Sequence, residues 1–464
     1  MSFAYMTALE LKDLLAERSI SPVELVEDTL ARLEALEPRI NAFVNRTPEQ
    51  ALAAAREAER AIAAGEGGAI AGLPVSVKDL VAVAGVPWTF GSRPFADNVP
   101  DFDAPSVERV RAAGGCIVGK STTSEFGCKA VTDSPLSGIT RNPWNLAKTP
   151  GGSSGGGGAS VAAGLTPFAV CTDGGGSIRI PSALCGLFGI KAQFGRVPLF
   201  PVPAAPTLSH VGAVARTVRD AALLVGVMAG HDRRDAFGVA EPVPDFLAAC
   251  DEGAEGLRIA WSPTLGYATP DPEVAVLCEA AARRFEALGC TVELVEDALG
   301  ADPVELWMAE FYGGIGTKLK DLMAERADEL DPAVVATLGA GLGGSVVEFF
   351  TQVFARYEFR ERMRQFFERY DLLLSPTLPC AAFDVGRDTP PGLGARNIVS
   401  WVYYTYPFNL TGQPAASIPA GFTADGLPVG LQMVAGINRE VDILRAAAAF
   451  EEAAPWADKR PPLA

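Results

Sequence analysis

Residues 168–179 read FAVCTDGGGSIR, an apolar segment that ends in an aspartate and in a run of glycines around Ser177. The apolar part of this stretch is typical of a buried β-strand. Two other segments have the same form, 73-LPVSVKDL-80 and 116-CIVGK-120, and a helical pattern over 106–113 leads into the second of them. Strands separated by helices predict an α/β protein.

The rest of the chain continues this alternation. The sequence predicts further strands and then further helices, the strands at 257–263, 291–296 and 370–379, and the helices at 272–289, 303–328 and 346–369. There is no internal repeat and no clear linker, and the proline-rich piece 198-PLFPVPAAP-206 is interpreted as an ordered turn. We therefore expect one large domain with a central mixed β-sheet flanked by helices.

The first 65 residues are predicted to form an N-terminal helical segment that precedes a core over residues 66–464. Three hydroxyl residues in this segment, Thr7, Ser21 and Thr47, each stand three positions before a Glu or Gln. This spacing predicts a capping box at the start of a helix. Ser21 and Thr47 are also followed by proline, which favours the first helical position.

The composition places limits on the partners of the chain. Its 464 residues are 48% apolar and 20% charged, as expected for a globular protein with enough material for a core. A net charge of −17 disfavours nucleic acid and anionic membranes, because both require a basic face. The N-terminus has no secretory pattern, and no apolar run approaches the roughly 18 residues of a membrane span. We expect a cytoplasmic protein without nucleic-acid or membrane partners.

Metal and cofactor sites are not expected either. The chain has only two histidines, His210 and His231, and its eight cysteines form no C-x-x-C pair. A zinc site would have to use these few ligands. Neither glycine run matches the phosphate-binding G-x-x-x-x-G-K-[ST] or G-x-G-x-x-G patterns.

A second glycine run, 151-GGSSGGGG-158, contains a formal G-x-S-x-G match. That nucleophile motif works with a histidine placed after an acid, so in a chain with two histidines the match is interpreted as chance. Lysine can act as the base instead, if burial lowers its pKa from about 10.4 towards neutrality. Lys78, at the end of an apolar strand, is the candidate, and a solvated surface charge is the alternative interpretation.

Taken together, these pieces resemble the amidase signature family. The resemblance rests on motifs in a fixed order, 73-LPVSVKD-79, 151-GGSSGG-156 and 173-DGGGSIRIPSALCG-186. It extends over essentially the whole chain, with similar stretches at 19–44, 139–145, 208–224 and 407–432. It implies a single amidase-signature domain that hydrolyses the C–N bond of carboxylic amides, aryl or alkyl, with esters and carbamates as further candidates.

The resemblance also implies the catalytic residues. Ser177 corresponds to the acyl nucleophile, Ser153 to the serine that follows a cis peptide bond, and Lys78 to the lysine base. In this relay Ser177 gives its proton to Ser153 while Ser153 gives its own to neutral Lys78, and the leaving nitrogen is protonated by the reverse path.

Backbone amides of the glycine run complete the implied site. The resemblance assigns the oxyanion hole to Gly174, Gly175 and Gly176, and it gives a supporting role in orienting the loops to Ser154, Asp173 and Arg179. Two departures from the family pattern leave the catalytic residues untouched. Gly174 stands where an apolar or hydroxyl residue is frequent, and the segment 191-KAQ-193 lacks a usual turn proline.

Residues outside these motifs are harder to assign. His210 lies in an S-H-V-G run and is interpreted as structural. Aromatic residues that could line a pocket are Trp88, Phe126, Trp144, Phe311, Tyr312, Trp401 and Tyr404.

Two functions compete on the basis of the resemblance. The first is a stand-alone hydrolase of small-molecule amides. The second is the glutamine-hydrolysing component of a multi-subunit, tRNA-dependent amidotransferase, which typically carries an S-L-D-Q-like stretch where this chain has 208-LSHV-211. That difference favours the stand-alone enzyme. A homodimer is common among such relatives, and the sequence leaves the oligomeric state open.

Overall fold

The computed structural model of the protein describes residues 3–393 and 397–463. Within these ranges the strands are β1 (Phe43–Arg46), β2 (Pro74–Lys78), β3 (Cys116–Ser121), β4 (Asp133–Ser134), β5 (Gly138–Ile139), β6 (Phe168–Asp173), β7 (Phe188–Lys191), β8 (His210–Ala215), β9 (Arg258–Trp261), β10 (Thr291–Leu294), β11 (Leu372–Pro376), β12 (Ala415–Phe422) and β13 (Pro428–Ala435).

The α-helices in the same ranges are α1 (Ala8–Ala16), α2 (Pro22–Ile40), α3 (Pro48–Ala64), α4 (Pro105–Ala112), α5 (Gly155–Ala162), α6 (Arg179–Cys185), α7 (Val218–Met228), α8 (Phe246–Ala249), α9 (Pro272–Ala287), α10 (Val304–Arg326), α11 (Pro332–Gly341), α12 (Val346–Arg369), α13 (Pro407–Leu410) and α14 (Glu440–Ala453). The helices and strands predicted from the sequence beyond residue 65 are therefore present, with ends shifted by no more than three residues.

One large mixed sheet organises the protein. In the described part of the chain it has eleven strands, in the order β1-β3-β2-β6-β8-β7-β12-β13-β11-β9-β10. Strand β2 is parallel to both of its neighbours, β3 and β6, whereas β6, β8, β7, β12, β13 and β11 run antiparallel in succession. The main apolar core includes residues of this sheet and of the helices on it, among them Val170, Leu224 and Phe285. The predicted α/β class with a central mixed sheet is confirmed.

The N-terminal segment corrects the sequence prediction in two places. Residues Phe43–Arg46 form strand β1, which pairs antiparallel with β3, so the segment is not wholly helical. The capping boxes at Thr7 and Ser21 are confirmed. Thr47 does not cap α3, because its hydroxyl donates to the carbonyl of Ile117 in β3 at 2.8 Å. Strand β3 thus provides an acceptor that local sequence could not reveal.

Parallel pairing brings the ends of two strands together. Val75 and Val77 of β2 lie opposite Phe168 and Val170 of β6. Because parallel strands have their carboxyl ends at the same edge of a sheet, Lys78 at the end of β2 lies beside the glycine loop that follows β6.

Helix α5 approaches this edge closely. All of its residues are buried, and a Cβ atom on Gly157 would lie only 2.6 Å from Sγ of Cys171 in β6. Glycine therefore allows the helix backbone to rest on β6. As a result Ser153, just before the helix, lies next to the loop that carries Ser177.

Candidate active site

The structure brings Lys78, Ser153 and Ser177 into one hydrogen-bonded row. Nζ of Lys78 lies 2.7 Å from Oγ of Ser153, which lies 2.9 Å from Oγ of Ser177. The peptide bond between Gly152 and Ser153 is cis. Lys78 and Ser153 are buried, whereas Ser177 is partly exposed. Two loops and one strand end, separated by up to about a hundred residues, thus converge on a single row of polar atoms.

Burial changes the acid–base behaviour of Lys78. Removal from water disfavours the ammonium form and lowers the pKa of Lys78 to about 7, while the nearby Cys171 and Asp173 oppose this shift. A substantial fraction of the side chain is therefore a neutral amine at neutral pH. This neutral form can accept a proton. The complete burial of Lys78 also excludes the alternative interpretation, a solvated surface charge.

Asp173 organises the loop that carries Ser177. Its carboxylate accepts the N–H groups of Gly176 at 2.7 Å and Ile178 at 3.2 Å, and it forms a buried ion pair with Arg179 at 2.9 Å. Burial alone would raise the pKa of Asp173, but the charge and hydrogen bonds of Arg179, assisted by Lys191, lower it below its ordinary value. The carboxylate is therefore ionised and holds both sides of the turn that carries Ser177.

Ser154 ties the two serine-bearing loops together. Its hydroxyl donates to the carbonyl of Thr172 at 3.0 Å, and its backbone N–H donates to the carbonyl of Ser177 at 3.3 Å. The contacts of Ser154 are thus with backbone beside the catalytic row rather than with Lys78.

Three polar residues far along the chain hold Arg179, and sequence reasoning gave none of them a role. The guanidinium of Arg179 donates to the carbonyl of Thr405 at 2.8 Å, to Oε1 of Gln432 at 2.8 Å and to Oδ1 of Asn409 at 2.6 Å. The only sequence signal was that Asn409 and Gln432 lie in the C-terminal stretch that resembles the amidase signature family. The backbone carbonyl of Thr405 and the side-chain oxygens of Asn409 and Gln432 serve as acceptors in a place where a buried guanidinium must be fully paired.

Hydrogen bonds within the protein engage part of the glycine run that was expected to form the oxyanion hole. The N–H of Gly176 is engaged by Asp173, and its φ of +133° is a conformation that favours glycine. The carbonyl of Gly174 accepts from Nε1 of Trp307 at 2.8 Å, and that of Gly175 from the Thr405 hydroxyl at 2.6 Å. Among the described residues, no protein acceptor pairs with the N–H groups of Gly174 and Gly175. The assignment of the oxyanion hole to Gly174, Gly175 and Gly176 stays a prediction, in which the amide of Gly176 already has Asp173 as a partner.

An apolar cavity of about 440 Å³ opens onto the two serines. Its wall is largely aromatic and includes Trp88, Phe90, Phe95, Phe126, Phe200 and Phe311. Of the seven aromatic residues considered from sequence, Trp88, Phe126 and Phe311 line this cavity, and Trp144, Tyr312, Trp401 and Tyr404 do not. Phe90, Phe95 and Phe200 were missed, because no motif or period in the sequence distinguishes an aromatic residue that lines a cavity from one that packs in the core.

The loop over 198–205 forms one side of this cavity. The proline-rich piece that was interpreted as a turn therefore contributes to the site. It meets α10, where Nζ of Lys318 donates to the carbonyl of Val202 at 3.0 Å.

His210 lies under the nucleophile loop and is not placed as a base for Ser177. Its Nδ1 lies 2.8 Å from the carbonyl oxygen of Leu208, and its Nε2 lies 3.3 Å from Nζ of Lys191. Burial and the neighbouring Lys191 lower the pKa of His210 well below its ordinary value. These contacts agree with the structural interpretation. Among the described residues, no cluster of three or more His, Cys, Asp or Glu side chains is arranged to hold a metal ion.

Comparisons with known proteins agree with this geometry. The model of the Amidase family matches residues 24–444. The chain is 39% identical to an acylamidase of Rhodococcus erythropolis over 98% of this chain and 97% of that protein. It is 35% identical to one component of the glutamyl-tRNA(Gln) amidotransferase of Methylococcus capsulatus, over 98% of both chains. A solved structure of a bacterial aryl acylamidase of the amidase signature family is similar with a TM-score of 0.93 and 32% identity, over 98% of both chains.

The chain therefore belongs to the amidase signature family. It is an enzyme of the amidase type, a hydrolase of amides.

Proposed function

We propose that this protein is a stand-alone amidase that hydrolyses linear amides with apolar substituents through an acyl-enzyme on Ser177. The observation that carries the proposal is the row Lys78–Ser153–Ser177, with separations of 2.7 and 2.9 Å, at the wall of an aromatic cavity. A serine hydroxyl requires an adjacent base to become a nucleophile at neutral pH. Lys78, with a pKa of about 7, is suited to this role.

The relay accounts for both halves of the reaction. Ser177 Oγ bonds to the carbonyl carbon while its proton passes to Ser153 and the Ser153 proton passes to neutral Lys78. When the tetrahedral intermediate collapses, the C–N bond breaks and a proton returns through Ser153 to the leaving nitrogen. Water then attacks the acyl ester by the same relay, which releases the acid and regenerates Ser177.

The N–H groups of Gly174 and Gly175 are the proposed donors to the oxyanion. Each such donor contributes about 3 kcal/mol to transition-state stabilisation in comparable sites. Hydrogen bonds from Trp307 and Thr405 to the carbonyls of these glycines fix the orientation of the loop before substrate binds. The hydrogen bond from the N–H of Gly176 to Asp173 fixes the orientation of the loop from within.

The cavity favours an apolar substituent on the amide. Aromatic rings gain free energy by covering aryl or alkyl groups, at about 25 cal/mol per Å² of apolar surface removed from water. Among the described residues that line the cavity, the charged side chains are Asp173, engaged by Arg179, and Lys318, which donates to Val202. Glutamine would place its charged ammonium and carboxylate groups in these surroundings, which is unfavourable without matched partners.

A panel of substrates tests this proposal. Purified enzyme is assayed with an anilide, an aliphatic amide, glutamine, an aryl ester and a carbamate, and with a Ser177→Ala variant as the control for background. We expect kcat/KM for the anilide to exceed that for glutamine by about 100-fold or more, as for a difference of about 3 kcal/mol in transition-state binding. Preferential hydrolysis of glutamine would overturn the proposal in favour of the glutamine-hydrolysing amidotransferase component.

A further inference from the structure

The amino-terminal half of α12 is an apolar helix that the rest of the described chain leaves exposed. Seven of the thirteen large hydrophobic residues that are exposed in the described ranges fall within 342–357, and the other six are scattered. The seven are Leu342, Val346, Val347, Phe349, Phe350, Phe354 and Tyr357. Single exposed hydrophobic residues are ordinary, whereas a concentration of this kind marks an interaction surface.

The exposed residues form a regular seam. Val347, Phe350, Phe354 and Tyr357 are separated by three, four and three positions, and we call these four residues the α12 seam. Their exposed fractions are 71, 49, 65 and 62%. The opposite face of the helix packs inward from Arg356 onwards, through Arg356, Phe359 and Met363, whereas residues 341–350 are exposed on every face. Alternating three–four spacing is the pattern by which one helix packs lengthwise against another.

The α12 seam ends at Tyr357, and charged residues occupy the same face of the helix beyond it. The same spacing continues to Glu361, Arg364 and Glu368, but these side chains pair with each other, with Arg364 at 2.8 Å from Glu361 and 2.6 Å from Glu368. Between residues 342 and 355 the sequence has one charged residue, Glu348, and its carboxylate accepts the backbone N–H of Ser345. The apolar region is thus bounded and almost free of charge.

We propose that the α12 seam is the contact by which two copies of this chain form a dimer, with the two α12 helices antiparallel about a two-fold axis near Gln352. In this arrangement Phe350 packs against Phe354 of the second copy, and Val347 against Tyr357. A two-fold contact of this kind covers the same surface on both copies.

Area and charge favour a second copy as the occupant. Exposed side chains of this size contribute on the order of 100 Å² each, so the four seam residues provide about 400 Å² of apolar surface. A stable interface buries about 800 Å² on each partner, of which a little over half is apolar. The chain carries a net charge of −17, and a nearly uncharged face is where two such chains can meet without bringing like charges together. The same net charge opposes docking on an anionic membrane.

Membrane insertion is the competing occupant and is distinguished in the test. In the described ranges no single helix is long and apolar enough to cross a membrane, and only α11 and α12 together, bent by 93°, meet that criterion of length and composition.

Sedimentation equilibrium of the wild type, Phe354→Glu and Val276→Glu tests the proposal. Val276 on α9 is exposed to a similar extent, 68%, and serves as the matched control. We expect dimers for the wild type and for Val276→Glu. Phe354→Glu should raise the dimer dissociation constant by about 100-fold or more, because each dimer loses two buried phenylalanine side chains. Circular dichroism and unfolding curves establish that all three proteins are folded.

Three outcomes would overturn the dimer. They are a monomeric wild type at micromolar concentrations, a dimer unaffected by Phe354→Glu, and a monomer that co-sediments with phosphatidylcholine vesicles through Phe354. The last outcome would assign the seam to lipid. Catalytic activity is not the readout, so failure of the proposed amidase function would not affect this test.

Discussion

The carboxylate of Asp173 accepts the backbone N–H of Gly176 at 2.7 Å, one residue before the proposed nucleophile Ser177. The same carboxylate also accepts from the backbone N–H of Ile178 and pairs with Arg179, one and two residues after Ser177. The turn that presents Ser177 is therefore closed from inside by one buried carboxylate. The same contact engages the amide of Gly176, whereas the amides of Gly174 and Gly175 have no protein acceptor among the described residues.

Substitution of Asp173 tests the contribution of this ion pair to stability. Asp173→Asn should lower the free energy of unfolding at pH 7 by about 3–5 kcal/mol, because Arg179 stays buried without a charged partner. Since the folded-state pKa of Asp173 is lowered, its contribution is present above the unfolded value of about 3.9 and is lost as pH falls towards the folded value. Urea unfolding of both proteins between pH 3 and 7 measures this. Equal stabilities at pH 7 would contradict the assignment.

Replacement of Lys78 tests the base. Lys78→Ala should reduce amide turnover by several orders of magnitude, since each assisted proton transfer accounts for about 10²–10⁴-fold. A nitrophenyl ester should lose less activity, because its leaving group needs no proton. Lys78→Arg should perform no better, because guanidinium stays protonated. Steady-state rates of the two variants on both substrates are the measurement, and near-wild-type amide hydrolysis by Lys78→Ala would exclude the relay.

The pH dependence of the wild type follows from the same residue. Only neutral Lys78 accepts a proton, so kcat/KM should fall about tenfold per pH unit below the Lys78 pKa of about 7 and level off above it. The profile of kcat/KM for an amide between pH 5 and 9 checks this expectation. A flat profile through pH 6 would show that the ionisation of Lys78 does not control the rate.

Covalent labelling distinguishes the two serines. A fluorophosphonate should modify Ser177, because its hydroxyl is activated and opens on the cavity, whereas Ser153 is buried. Peptide mapping by mass spectrometry locates the adduct. Ser177→Ala should abolish labelling, and an adduct on Ser153 in the wild type would reverse the roles of the two residues.

The cavity wall gives a prediction about substrate binding. Phe95→Ala removes one aromatic ring from the cavity and should lower kcat/KM for an anilide by about 10-fold or more, corresponding to the burial of part of a phenylalanine side chain. Trp144→Phe is the control, because Trp144 lies outside the cavity and packs against Phe422. Kinetics with an anilide and with acetamide, which has too little apolar surface to reach Phe95, separate binding from general damage. Equal losses on both substrates would mean that Phe95 has only a structural role.

Chelation tests the metal-free mechanism. With two histidines in the chain and no paired cysteines, we expect EDTA to leave amide hydrolysis unchanged. Activity is measured before and after dialysis against the chelator. Loss of activity that is restored by a divalent ion would require a different mechanism.

Much of the fold followed from local sequence because its signals are local. The apolar segments 73–80, 116–120 and 168–173 are strands β2, β3 and β6, and Thr7 and Ser21 cap the helices that their spacing predicted. Residues 43–46 were mistaken for helix because a four-residue edge strand has too few positions to show a period. It is stabilised by pairing with β3, which lies more than seventy residues away.

The sequence by itself determined the order of the motifs and the chemical types they supply, a lysine at a strand end and two serines in glycine-rich loops. Tertiary structure alone decided the protonation state and the hydrogen-bond partners of these groups. It lowered the pKa of Lys78 by burial, engaged Gly176 through Asp173, and surrounded Arg179 with Thr405, Asn409 and Gln432 from more than 220 residues away. It also determined which aromatic residues line the cavity. The physical reason is that hydrogen bonding and loss of hydration depend on neighbours in space, which the sequence does not give directly.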